Sequence, residues 1–222
     1  MAYFTKDVLK FLKDLDKNNN RDWFNANKDR YVEHIKEPFE AFIQVMIDEM
    51  QKLDRNVLIT PKDAIFRIYR DTRFSKDKTP YKTYISAIVS GGGRKNRSSP
   101  GVYLQFSAED AKIYSGAYEL DKNGLQNVRE GIASNLKEFD KLINDKKFKN
   151  KFGEVQGEKN KRIPKEFQEV AKEQPLIANK QFYYFAKFEP EFILDPKLPK
   201  KLMDYYKVAQ PLGNFLWNAS KG

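Results

Sequence analysis

The sequence predicts an α+β fold, an antiparallel mixed sheet of about five strands flanked by N-terminal, central and C-terminal helices. Apolar residues recur every three to four positions over 5–53 and again over much of 121–219, the period of a helix with one buried face. Between 64 and 118 the pattern changes to short runs of β-branched and aromatic residues. The connections between those runs are too short for helical crossovers, so the strands should pair antiparallel. The chain of 222 residues is read as one domain, with N-terminal helices over 5–53, a sheet-rich middle over 64–118 and a helical, late-strand part over 121–219.

Taken in order, Val8, Leu9, Leu12 and Leu15 follow Thr5, a suitable N-cap, and the run stops at Asn18-Asn19-Asn20. From Trp23 and Phe24 to Met50 the helical period resumes, with Pro38 in its middle, where a kink or two abutting helices are expected. Strands are predicted over Ala64 to Tyr69, Thr83 to Ser90, Gly101 to Ser107 and Lys112 to Tyr118. Leu125, Val128, Ile132, Leu136, Phe139 and Ile143 mark one long amphipathic helix, and Phe148 and Phe152 a short one. Glu166 to Lys172 reads as another short helix. The aromatic run Gln181 to Phe188 reads as a late strand joining the sheet, in which Tyr183 and Tyr184 must face opposite ways. Asp195 and Pro196 read as cap and first residue of a closing helix, interrupted by Pro211 and Gly213.

Composition excludes whole classes of chemistry. There is no Cys, which removes disulfides, thiolate nucleophiles and thiolate metal sites, and His34 is the sole histidine, which removes imidazole metal clusters. No stretch approaches the roughly 18 to 20 apolar residues of a membrane helix, and the start lacks the apolar core of a secretion signal, so a cytoplasmic chain without a membrane partner is expected. Gly91 to Arg97 lacks the spacing of a P-loop, and no GxSxG motif accompanies His34. Nor does the Gly91 to Arg97 loop form a GxGxxG between a strand and a helix, and the sequence names no cofactor.

The formal net charge is +10, and most of the excess is concentrated. From Arg67 to Lys82 the chain reads Arg-Ile-Tyr-Arg-Asp-Thr-Arg-Phe-Ser-Lys-Asp-Lys-Thr-Pro-Tyr-Lys, six cations against Asp71 and Asp77. Arg94, Lys95 and Arg97 add a second basic cluster in the glycine loop. Guanidinium forks, ammonium groups and the hydroxyls of Thr72, Ser75 and Thr79 are the donors that bind phosphate or carboxylate oxygens. The expected site comprises Arg67, Arg70, Arg73, Ser75, Lys78, Tyr81 and Lys82, with Arg21 beside Trp23 and Phe24. Asp71 and Asp77 are the only acids in the segment; they are the candidates for proton transfer, for orienting the arginines, or for holding Mg²⁺ beside a phosphate.

Three functional readings follow. The first is an anion-binding domain, with or without catalysis, for a phosphorylated or carboxylated small ligand. The second is a nucleic-acid binder whose basic loops grip phosphates while exposed Tyr or Phe stacks on bases. The third is a structural or protein-interaction module in which Asp–Arg pairs lock the loop.

Two stretches carry a family likeness: Asn18-Asn-Asn-Arg21-Asp-Trp23-Phe24 followed by Asn27-Lys28, and Ile65-Phe-Arg67 through Arg70-Asp-Thr-Arg73-Phe-Ser-Lys-Asp77-Lys78-Thr-Pro80-Tyr81-Lys82. In both, the chain resembles a family of mostly bacterial proteins designated domain of unknown function 2461, over nearly its whole length. The resemblance implies a shared fold and a shared site, and it brings no substrate, cofactor or catalytic residue.

Overall fold

A computed structural model describes residues 2–95 and 99–222. Arg97, assigned above to the second basic cluster, lies outside the described residues.

Helices α1 (Lys6–Lys17), α2 (Arg21–Ala26), α3 (Lys28–Tyr31) and α4 (Glu37–Gln51) form the N-terminal part, followed by the short α5 (Pro61–Ala64). Thr5 caps α1, its hydroxyl accepting from the Asp7 amide at 3.3 Å. Asn20 caps α2 by accepting from the Trp23 amide at 2.9 Å. The break expected near Pro38 is a single π-helical turn over Val32–Lys36 that leads into α4, with Pro38 in the first turn of that helix, where its missing N–H costs nothing.

Strands β1 (Tyr84–Ser90), β2 (Gly101–Ser107), β3 (Ala111–Ala117) and β4 (Phe182–Phe188) form one antiparallel sheet in the order β1-β2-β3-β4. Buried and part-exposed residues alternate along β2 and β3, as a sheet with unlike faces requires, whereas β1 is buried at nearly every position. The segment expected as a first strand over Ala64 to Tyr69 joins only through isolated bridges, Ile65 to Ala87 and Tyr69 to Tyr81. Those bridges make residues 65–87 an antiparallel hairpin that runs into β1.

The remaining helices are α6 (Lys122–Ser134), α7 (Leu136–Ile143), α8 (Lys146–Phe152), α9 (Val170–Glu173) and α10 (Leu198–Lys221). The helix expected to run unbroken through Leu136 divides at Asn135, which leaves the helical conformation (φ −133°, ψ 41°) and whose side-chain amide donates to the Gly131 carbonyl at 3.0 Å alongside its own backbone N–H at 3.1 Å. In contrast, α10 runs through both Pro211 and Gly213. A Cβ at Gly213 would stand 3.6 Å from the Tyr184 hydroxyl, an ordinary contact, so neither space nor backbone conformation requires glycine there and the helix continues through it.

The chain gathers into two compact units, each built from separated stretches: one from the N-terminal stretch to Val89, Tyr103–Ile113 and Lys187–Met203, the other from Ser90–Val102, Tyr114–Ala186 and Asp204–Gly222. In the first, Phe4, Phe39, Phe42 and Phe106 form a buried ring cluster with centroids 5.4 to 6.4 Å apart, edge-on and offset, as aromatic quadrupoles prefer. Asp110 is held there by Lys112 and Lys187. In the second, Tyr184 is fully buried between the edges of Phe148 and Phe152, and its hydroxyl donates to the Ala209 carbonyl at 2.7 Å. Arg129, only 5% exposed, donates to the carbonyls of Ile177 at 2.9 Å and Asn179 at 3.3 Å, neutralising the end of a 3₁₀ turn. Among the described residues no helix is long and apolar enough to cross a membrane.

Candidate functional site

Everything that follows lies in the first unit. Tyr81 anchors the base of the hairpin. Its ring is 3% exposed and stacks on Phe24 at 4.1 Å with 15° between planes, and Tyr69 packs against both rings. The Asn19 side chain then meets the Tyr81 backbone twice, accepting from its N–H at 3.0 Å and donating to its C=O at 3.0 Å. A primary amide has one donor side and one acceptor side, so it completes a peptide group as another strand would. The turn after α1 is thereby fixed to a hairpin 62 residues away. Burial, then Tyr69, raises the Tyr81 hydroxyl above its ordinary pKa, and Arg21 opposes the rise. Arg21 itself is exposed.

The hairpin tip is organised by two ion pairs. Asp71 receives Arg73 in a two-pronged contact, Nε at 3.0 Å and Nη2 at 2.7 Å, and also accepts from the Arg73 amide at 3.2 Å. Asp77 binds Arg70 and accepts from the Thr79 amide at 2.9 Å and the Thr79 hydroxyl at 2.8 Å, while Arg70 also reaches the Thr79 oxygen. Hydrogen bonds to the ionised form hold both carboxyls at about 2, chiefly from Arg73 for Asp71 and from Arg70 for Asp77. Lys78 crosses the tip to donate to the Thr72 carbonyl at 2.9 Å.

Between the hairpin and the end of α1 lies an open cleft of about 480 Å³. Of the residues expected from sequence, Arg70, Asp71, Asp77, Tyr81 and Lys82 line it. Arg73, Ser75 and Lys78 stand on the tip, Arg67 is exposed on the outgoing arm, and none of these four lines the cleft. Asp16 and Thr83 also line it and were not expected; nor was Asn19, although it lies within the first of the two family stretches. Asp16 follows the last apolar residue of an amphipathic helix, where an acid reads as ordinary solvated surface. Asn19 carried a signal in its position beside a helix end, yet its partner is too distant in sequence to be inferred. Arg70 lines the cleft with its side chain 27% exposed and paired with Asp77. Lys82 lies within 5.4 Å of the Phe66 ring centroid and 5.9 Å of that of Tyr84. Among the described residues no group of three or more carboxylates and imidazoles is close enough to hold a metal ion.

The profile of the family described as conserved hypothetical protein, domain of unknown function 2461, matches residues 7–215. The chain belongs to that family. Membership covers both stretches singled out from the sequence, and the geometry gives a reason for their joint presence in this member of domain of unknown function 2461. Asn19 and Phe24 from the first stretch hold Tyr81 from the second by two hydrogen bonds and one ring stack. No curated protein and no solved structure matches the chain.

Proposed function

We propose that the cleft binds a small ligand carrying a phosphate or carboxylate group, with Arg70 and Lys82 as its cationic contacts. The observation that carries this reading is a partly exposed guanidinium opening into a concave space beside Lys82 and the hydroxyl of Thr83. Such a site supplies both charge and directed donors for anionic oxygens. Asp16, Asp71 and Asp77 border the same space, so the ligand should also carry hydroxyl or amino groups that donate to carboxylates. A small polyol phosphate or an amino acid derivative has this combination.

The site favours binding over proton transfer. A carboxyl held at about 2 is a weak base at neutral pH, and both Asp71 and Asp77 are so held by arginine. The same two pairs, both internal to the hairpin, support a second reading, in which the segment is a structural clasp stiffened by its own ion pairs and tied to the α1–α2 region through Asn19 and Phe24. Titration with inorganic phosphate, a sugar phosphate and a dicarboxylate, followed by thermal unfolding, separates the two. A ligand at 100 times its Kd stabilises by about 2.7 kcal/mol, a rise of roughly 5–11 °C for a chain of this size. A structural clasp gives no shift with any of the three.

A further inference from the structure

We propose that the tip of the 65–87 hairpin is a docking surface for single-stranded nucleic acid, distinct from the cleft. Phe74 is 96% exposed at the tip, and Tyr69 on the outgoing arm is 52% exposed. A tip that needed only to reverse the chain would carry Gly, Asn or Asp at such a position, not a phenyl ring in water. Here the ring lies in a cation-rich segment. Arg67, Lys76 and Lys78 are exposed, and the Arg73 guanidinium lies 5.8 Å from the Phe74 ring centroid.

The ion pairing described above prepares this surface for an anionic partner. Asp71 occupies the Nε and one Nη of Arg73, and a guanidinium has five N–H donors, so three remain for a phosphate. Lys78 is held across the tip by the Thr72 carbonyl at 2.9 Å, which fixes one ammonium beside the phenyl ring's loop. An exposed aromatic ring beside a guanidinium, with further exposed cations in the same loop, is an arrangement that accepts an unpaired base on its face and the flanking phosphates beside it.

A pocket on an acidic protein would account for Phe74 alone. It leaves unexplained the exposed cations spread from Arg67 on the arm to Lys76 and Lys78 at the tip, a pattern that matches the repeated phosphates of a nucleic acid strand, with the outer part of Tyr69, packed on Phe24 and Tyr81, as a second ring surface. A duplex does not fit, because its bases are already stacked and offer no free face to the ring.

Fluorescence anisotropy with a labelled single-stranded oligonucleotide of about 12 nucleotides tests the proposal on the full chain. The wild type should bind the single strand more tightly than the matching duplex. The logarithm of the affinity should fall with that of salt with a slope of roughly −2 to −3, the value for three or four neutralised phosphates at about 0.7 each. Phe74→Ala should weaken binding about fivefold or more through lost stacking, and Lys76→Glu should flatten the salt slope. Neither change removes a buried contact, so both variants should keep the wild-type unfolding midpoint, and both should keep the phosphate response of the cleft. No binding, equal binding of duplex, an unaltered affinity in Phe74→Ala, or equally tight and Phe74-dependent binding of polyglutamate would each overturn the proposal, the last by assigning the tip to an acidic protein.

Discussion

Replacing Asn19 with Ala should loosen the hairpin more than any other single polar change at the α1–α2 turn. The side chain makes two 3.0 Å hydrogen bonds to the backbone of Tyr81, a residue 3% exposed. Alanine leaves both the N–H and the C=O of that peptide without this partner. A hydrogen bond contributes about 0.5–1.5 kcal/mol net and an orphaned buried group costs about 1–3 kcal/mol, so a total loss of about 1–3 kcal/mol is expected. For a chain of this size that is a fall of roughly 2–12 °C in the unfolding midpoint. Amide exchange gives a local readout beside the thermal one. The Tyr81 amide should lose protection in Asn19→Ala, whereas the Tyr183 amide in the other unit, bonded to the Gln156 carbonyl at 3.1 Å, should keep it. A midpoint within about 1 °C of wild type together with unchanged Tyr81 protection would refute the clasp.

Three further outcomes follow from the same geometry. Asp71 and Asp77 have folded pKa values near 2, below the ordinary 3.8, so their pairing supports the fold fully above about pH 4 and is lost as pH falls towards 2; carboxyl carbon shifts followed by NMR should give midpoints below 3 for these two residues, and ordinary midpoints would refute the pairing. Asp77→Asn removes the carboxylate that competes for Arg70 and should tighten phosphate binding a few-fold in a calorimetric titration, whereas a weaker Kd would place the ligand elsewhere. Gly116→Ala puts a side chain at φ +110°, with its Cβ 2.2 Å from the Phe182 carbonyl; it should lower the midpoint more than Asn19→Ala does, because both backbone conformation and the neighbouring strand must give.

Much of the fold was legible because periodicity is a local property. The four strands β1 to β4 lie within one residue of their expected bounds at either end, and α1, α8 and the late strand follow from spacing and caps alone. What failed to show was decided by partners distant in sequence. The break at Asn135 is a local exception to this: its side-chain amide turns back onto Gly131, four residues away, yet the apolar period over Leu125–Ile143 continues across it and reads as one helix. Likewise α10 runs through Pro211 and Gly213 although both residues signal an end.

The site was legible in composition and not in geometry. The run from Arg67 to Lys82 announced itself by charge, but spacing treats its six cations as equals. Folding divides them: Arg70 and Lys82 face the cleft, and Arg73 and Lys78 sit on the tip with partners of their own. That division follows from the pairing of Tyr69 with Tyr81, which sets the hairpin register and so decides which arm positions turn towards α1. Asp16 joins the cleft through the same folding and has no signature in the sequence at all.

The contrast between Arg70 and Arg73 therefore offers the most direct test. Phosphate titrations of wild type, Arg70→Gln, Lys82→Gln and Arg73→Gln, each first shown to be folded by circular dichroism, should give a saturable response in wild type that is lost in Arg70→Gln, weakened in Lys82→Gln and retained in Arg73→Gln. A response that survives Arg70→Gln and Lys82→Gln, or no response in the wild type, would contradict an anion site in the cleft.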